Sequence, residues 1–194
     1  MLLAFIRRDG IRATLVLLFV LNVCFAPCIW GRKTFLESAR GVPSILPNGA
    51  WAGKPLLVRS PRVLDPGAPA WQSEPQLAVI QYEYLHEKTI PLWNPYQAYG
   101  RPLAANMLSA PFFPLTAAAA LALGPVTYNW YILLRLLLAG ICTYLYLRLF
   151  LSFLPALAGG IVALLSGYYV LYITIFHLSV ETLLPACLLT AEYI

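Results

Sequence analysis

YNWYILLRLLLAGICTYLYLRLFLSF, residues 128–153, decides the fold class. It interrupts its apolar character only at Arg135 and Arg148, and it exceeds the roughly 20 residues a helix needs to cross a bilayer. Downstream, Pro155 to Phe176 forms a second run of this kind. Leu178 to Ile194 begins another, with Glu181 and Glu192 inside it. Upstream, Ala110 to Leu123 is apolar but short, and Gly124-Pro125 closes it. Tyr128, Trp130, Tyr131, Tyr144, Tyr146, Tyr168, Tyr169 and Tyr172 cluster at expected membrane–water boundaries, where amphipathic rings are favoured.

The composition agrees. Of 194 residues, 60% are hydrophobic and 11% charged, with a mean hydropathy of +0.73. A soluble domain carries about 45–50% apolar and about 25% charged residues, so a disordered chain, a fibrous repeat and an ordinary soluble domain are excluded. The net charge of +5 does not indicate nucleic-acid binding, because the basic residues form neither a dense run nor a helical stripe. Cys24, Cys28, Cys142 and Cys187 lie in apolar stretches without CxxC spacing, which argues against a zinc site or a disulfide framework.

At the N-terminus, residues 1–12 carry Arg7, Arg8 and Arg12, and an apolar stretch over 13–30 follows. A basic flank before one bilayer thickness predicts a transmembrane helix with a cytoplasmic N-terminus. A cleaved signal peptide is the rival reading, but the apolar part is long and no Ala-x-Ala site follows. Residues 31–108 hold eight of the 13 basic and five of the eight acidic residues. They are too polar to span and form an extracytoplasmic loop by the orientation of the first helix. Within it, Ser73, Pro75 and Gln76 predict the start of an amphipathic helix over about 74–87. Residues 109–194 are then transmembrane helices 2–5, the last incomplete. Its abrupt apolar end leads to the expectation of an N-terminal part of a longer membrane protein.

The loop also holds the chemistry. Asp65-Pro66-Gly67 makes a turn that presents a carboxylate, or an Asx-turn with no further role. Pro91-Leu92-Trp93-Asn94-Pro95-Tyr96 and Gly100-Arg101-Pro102-Leu103-Ala104-Ala105-Asn106 follow the helix. This density of Pro, Gly, Trp, Tyr and Asn predicts an ordered cap rather than a linker. Trp93 can stack on a sugar ring or serve the fold. Asn94 and Asn106 can bind sugar hydroxyls or cap their own turns. His177 and Glu181, four apart, share a helix face. An intramembrane His–Glu pair marks a candidate site, with an interfacial His as the plain alternative. No acidic pair argues for a metal; a divalent cation stays open and the cofactor is unknown.

The order Asp65, amphipathic helix, Leu92-Trp93-Asn94-Pro95, Gly100-x-Pro102-Leu103 and Phe113-Pro114-Leu115, then Ser166-Gly167-Tyr168, His177, Leu184-Pro185 and Glu192, resembles YfhO-like bacterial membrane proteins of the GT-C class. The resemblance covers roughly residues 55–194. It implies an all-α polytopic fold: a GT-C-like helix bundle with a large structured extracytoplasmic loop after the first helix. It implies a glycosyltransferase of the bacterial cytoplasmic membrane. The expected donor is a polyprenyl-phosphate sugar, and the acceptor a cell-envelope glycan or glycolipid. Asp65 takes the position of the general base. Arg101, Arg59 and Arg62 are candidates for the lipid phosphate, with headgroup snorkelling as their alternative. Competing readings are a transporter or flippase of a lipid-linked substrate and a noncatalytic scaffold. The partners expected are membrane lipid, donor and acceptor, without nucleic acid.

Overall fold

The computed structural model describes residues 2–31, 33–36, 69–106, 108–175 and 178–192. These residues are mostly helical. The chain divides into two compact units: a helical unit of 1–33, 133–170 and 178–194, and a loop unit of 34–132 and 171–177.

In the helical unit, α1 runs Leu2–Cys24 and a single turn, α2, spans Ala26–Ile29. The helix expected over 13–30 therefore starts eleven residues earlier, and Arg8, Asp9 and Arg12 sit on it rather than in a tail. Charges do not end a helix; they only mark where its apolar part begins. Pro27, which cannot donate to a preceding turn, lies just beyond the end of α1. Asp9, Ala13, Leu17 and Leu21 are buried at a strict four-residue interval, one seam along the helix. Leu15, Phe19 and Val23 on other faces stay exposed.

Downstream, α3 (Glu74–Tyr82) and α4 (Pro114–Leu121) belong to the loop unit. The long helix α5 spans Pro125–Leu147, its first eight residues assigned to the loop unit and the rest to the helical unit. Pro125 starts it without wasting a donor, and Tyr128 N–H closes its first turn on the Gly124 carbonyl at 2.8 Å. Then come α6 (Phe153–Leu164) and α7 (Gly167–Leu171), which together form an apolar stretch of 19 residues. Ser152, in extended conformation, precedes α6. The last segments are α8 (Leu178–Glu181) and α9 (Leu184–Ala191), with Pro185 in the first turn of the latter.

Two helices are thus long and apolar enough to cross a membrane, Pro125–Leu147 and Phe153–Leu171. Only 22% of the apolar window in the second is buried, unlike the core helix of a soluble protein. The runs expected at 110–123 and 178–194 give shorter helices. Prolines 111 and 114 delay α4 until Pro114, and it lasts eight residues; the second run divides at residues 182–183 into α8 and α9.

Close backbone approach holds the helical unit together. A Cβ on Gly140 would lie 3.1 Å from the Gly160 carbonyl oxygen, and one on Gly160 would lie 3.0 Å from that of Gly140. Small residues at facing positions let α5 and α6 touch backbone to backbone, the arrangement that packing in lipid favours. Leu17 of α1 reaches the same point, 3.7 Å from a Gly160 Cβ.

The loop unit is built differently. Wide helical turns at Pro69–Ser73 and Glu83–Glu87 flank α3. Ser73 has helical dihedrals and makes no capping hydrogen bond, so the expected capping box does not form; the helical winding already begins at Pro69. It stops at Lys88, whose φ of 55° is left-handed. The face Gln76, Leu77 and Ile80 is buried, and α3 packs on α4. Tyr84 donates to the Pro111 carbonyl at 3.4 Å. The Asn129 amide oxygen accepts from the Thr34 hydroxyl at 3.0 Å and the Phe35 N–H at 2.9 Å.

Candidate functional site

Asp65, Arg59, Arg62 and His177, four of the residues singled out from the sequence, lie outside the described residues. The others divide between the two units.

Trp93, Asn94 and Arg101 come together. Trp93–Asn94 (β1) pairs antiparallel with Arg101–Pro102 (β2), in the register Trp93 with Pro102 and Asn94 with Arg101. The two sequence blocks are therefore the arms of one hairpin. Leu103 and Ala104 N–H both reach the Leu92 carbonyl, at 2.8 and 3.2 Å, and extend the closure. Asn94 is 3% exposed, and its amide oxygen accepts the Tyr96 N–H at 3.0 Å. That is an Asx-turn, so this oxygen serves the fold. Asn106 does the same for the next turn: its amide oxygen accepts the Leu108 N–H at 3.1 Å. Its Nδ2 is buried with no partner among the described residues. The Ser109 hydroxyl lies 2.6 Å from the Leu103 carbonyl and 2.8 Å from that of Asn106, locking the second arm.

The tip of the hairpin is strained. Ala98 and Tyr99 have φ of 52° and 59°, and Gly100 has 99°. Successive left-handed residues are unfavourable for side chains with a Cβ. A Cβ on Gly100 would also lie 2.8 Å from the Trp93 ring. The rings of this hairpin are exposed: Trp93 half, Tyr96 76% and Tyr99 fully. Arg101, partly exposed beside them, makes no hydrogen bond or ion pair among the described residues. The arrangement offers aromatic faces and the Arg101 guanidinium on one hairpin.

A cavity of about 360 Å³ also lies in the loop unit. Its walls include Leu36, Ala70, Leu77, Leu123 and Tyr128, and Glu74 is among the residues that line it. Sequence reading missed this carboxylate as a site residue. The signal was present: Ala70, Glu74, Leu77 and Ala78 follow the three-and-four spacing of one helical face. Nearby on the loop helix, Tyr82 stacks on His86 with ring centroids 5.2 Å apart. The hydrogen bond and negative charge of Glu87 push the Tyr82 phenol above its ordinary value, so it stays neutral to higher pH.

Glu181 belongs to the helical unit. Its Oε1 accepts from the Tyr168 hydroxyl at 2.8 Å, and its backbone carbonyl accepts from the Tyr169 hydroxyl at 3.3 Å. Arg135, fully buried, donates from Nη1 to the Ser179 hydroxyl at 3.1 Å. Among the described residues no group of three or more His, Cys, Asp or Glu could hold a metal ion.

No family model, no curated protein and no solved structure matches this chain.

Proposed function

We propose that the protein is a membrane glycosyltransferase of the bacterial cytoplasmic membrane that moves a sugar from a polyprenyl-phosphate donor to an extracytoplasmic acceptor. The single observation that carries this reading is the hairpin. The Leu-Trp-Asn-Pro and Gly-x-Pro-Leu blocks, on which the resemblance to YfhO-like proteins rests, are paired strands. They present Trp93, Tyr96, Tyr99 and a partly exposed Arg101. Aromatic faces stack on the C–H faces of sugars, and a guanidinium binds phosphate oxygens in pairs. A sugar phosphate carries both groups side by side.

In the reaction the acceptor hydroxyl oxygen forms a bond to the anomeric carbon, and the bond from that carbon to the phosphate oxygen breaks. The hydroxyl proton passes to a carboxylate, assigned to Asp65. The electron pair leaves on the lipid phosphate, whose charge Arg101 offsets. Stabilising that charge as it develops is where the rate gain arises.

The test is sugar transfer in membranes containing the complete protein, with consumption of lipid-linked sugar as the readout at equal protein level. Asp65→Asn is expected to lower transfer by about 10²–10⁴, the usual worth of a general base. Arg101→Gln should lower it less. Glu74→Gln is the control carboxylate. Full activity of Asp65→Asn with loss in Glu74→Gln would move the base to the cavity. Transfer unaffected by either would overturn the enzymatic reading.

A further inference from the structure

A groove of about 350 Å³ opens in the helical unit between the first half of α1 and the last turns of α5. Gly10, Ile11, Thr14 and Leu15 form one wall, and Ile141, Tyr144 and Leu145 the other. Its surface is almost wholly apolar. Thr14 adds no free polarity, because its hydroxyl donates to the Gly10 carbonyl at 2.9 Å. The groove exists because α1 packs on α6 and leaves its neighbouring face uncovered.

One end of the groove is charged. Tyr144, in the wall, accepts the Arg148 backbone N–H on its carbonyl at 2.9 Å, so Arg148 stands one turn beyond it. Arg148 also donates to the Leu151 carbonyl at 2.7 Å, and its Nη2 lies 3.5 Å from Asp9 Oδ2. Asp9 adjoins Gly10 in the opposite wall, and its other oxygen lies 3.8 Å from Arg12 Nη1. One buried carboxylate is thus shared by two guanidiniums, and Arg8 stands exposed one residue away. Arg12 is 57% exposed and holds Asp9 only at the limit of an ion pair, so its charge is left over for another anion.

We infer that this groove binds one anionic phospholipid, with an acyl chain between α1 and α5 and the phosphate at Arg12 and Arg8. An apolar slot ending at surplus guanidiniums is complementary to an amphiphile with a negative head, and basic pockets between membrane helices hold such headgroups. The inference rests on the membrane placement proposed above, with the charged end of α1 on the cytoplasmic side. It does not depend on sugar transfer. The site belongs to the helical unit and uses none of the hairpin residues.

Two variants separate head from tail. Gly10→Leu fills the slot, and a Cβ at Gly10 meets nothing within 4 Å, so the helix accepts it. Arg12→Gln removes the surplus charge and leaves Asp9 paired with Arg148. The protein is purified in detergent with defined amounts of phosphatidylglycerol or phosphatidylcholine, and retained lipid is counted by native mass spectrometry. Carbonate extraction of the same membranes reports integration independently. The expected result is one retained phosphatidylglycerol per chain, preferred over phosphatidylcholine. Retention should fall about fivefold in Arg12→Gln and be lost in Gly10→Leu, with all three proteins remaining in carbonate-washed membranes. Equal retention of the two lipids, or retention unchanged in Gly10→Leu, overturns the site. Release of the protein by carbonate overturns the membrane placement and the site with it.

Discussion

The helical unit is made mostly of long apolar runs and the loop unit of a more polar, proline-rich stretch, and they hold together by different means. In the helical unit the contacts are close and plain: Gly140 against Gly160, Leu17 beside them, and one seam of residues at four-residue spacing on α1. Polar groups there are few, and side chains such as Arg135 on Ser179 and Glu181 on Tyr168 pair with one another. In the loop unit, side-chain oxygens of Asn94, Asn106 and Ser109 and left-handed residues at 88, 98, 99 and 110 set the path of the chain. Packing between helices needs smooth surfaces and small residues. A segment full of prolines, which lack the donor for regular ladders, must satisfy its backbone through turns.

The contrast breaks most sharply at Gly160. Gly160→Leu would drive a branched side chain into the Gly140 carbonyl and the Tyr144 Cβ, only 3.0 and 3.1 Å from a bare Cβ. Overpacking of this kind is expected to cost about 3 kcal/mol, read as a lower unfolding temperature in detergent. Amide exchange within 92–106 should stay at its native rate in the folded fraction. If the variant melts like the native protein, the helices are not in backbone contact and the packing account of this unit is wrong.

Gly100→Ala tests the other unit. It puts a Cβ at a φ of 99° and against the Trp93 ring, at an expected cost of about 2 kcal/mol. The half-exposed ring can turn aside, so the backbone strain is the firmer part of that cost. Faster amide exchange should be confined to the hairpin, with α6 unchanged. Uniform acceleration across both units would show that they unfold together and that the division has no energetic meaning.

The smallest effect has the opposite sign. Gln76 is 1% exposed, and among the described residues neither its amide nitrogen nor its oxygen has a hydrogen-bond partner. A buried polar group without partners is destabilising, and replacing it with an apolar side chain of the same shape removes the penalty. Gln76→Met is expected to stabilise the protein by about 1 kcal/mol, measured by thermal unfolding. Loss of stability would show that the amide has a structural role at this position.

Several features were legible beforehand for stated reasons. The long helix around Arg135 follows from the apolar run over 128–153, which only Arg135 and Arg148 interrupt. The helical stretch before Lys88, α-helical from Glu74 as expected, follows from the spacing of Leu77, Ile80 and Tyr84, although the wide turn ahead of it does not. The winding at Pro69–Ser73 is not a regular α-helix, and its dihedrals carry no sequence signature that outweighs the capping pattern at Ser73. Asn94 and Asn106 each stood between substrate contact and turn formation. Turn formation now accounts for both amide oxygens, because each reaches an N–H two residues on. Asp65, Arg59, Arg62 and His177 keep the standing that the sequence reading assigned them.

What the sequence determined by itself is the class of segment: which stretches are apolar enough to cross a bilayer, which stretch is not, and where Pro and Gly interrupt. Those properties are sums over neighbouring residues and need no partner. Tertiary structure alone decided that Trp93–Asn94 pairs with Arg101–Pro102, that Gly140 meets Gly160, that Glu74 lines a cavity, and that Asp9 lies between Arg12 and Arg148. Each depends on residues distant in the chain or on a side chain's direction. Side-chain reach and backbone distance appear only when the elements have packed.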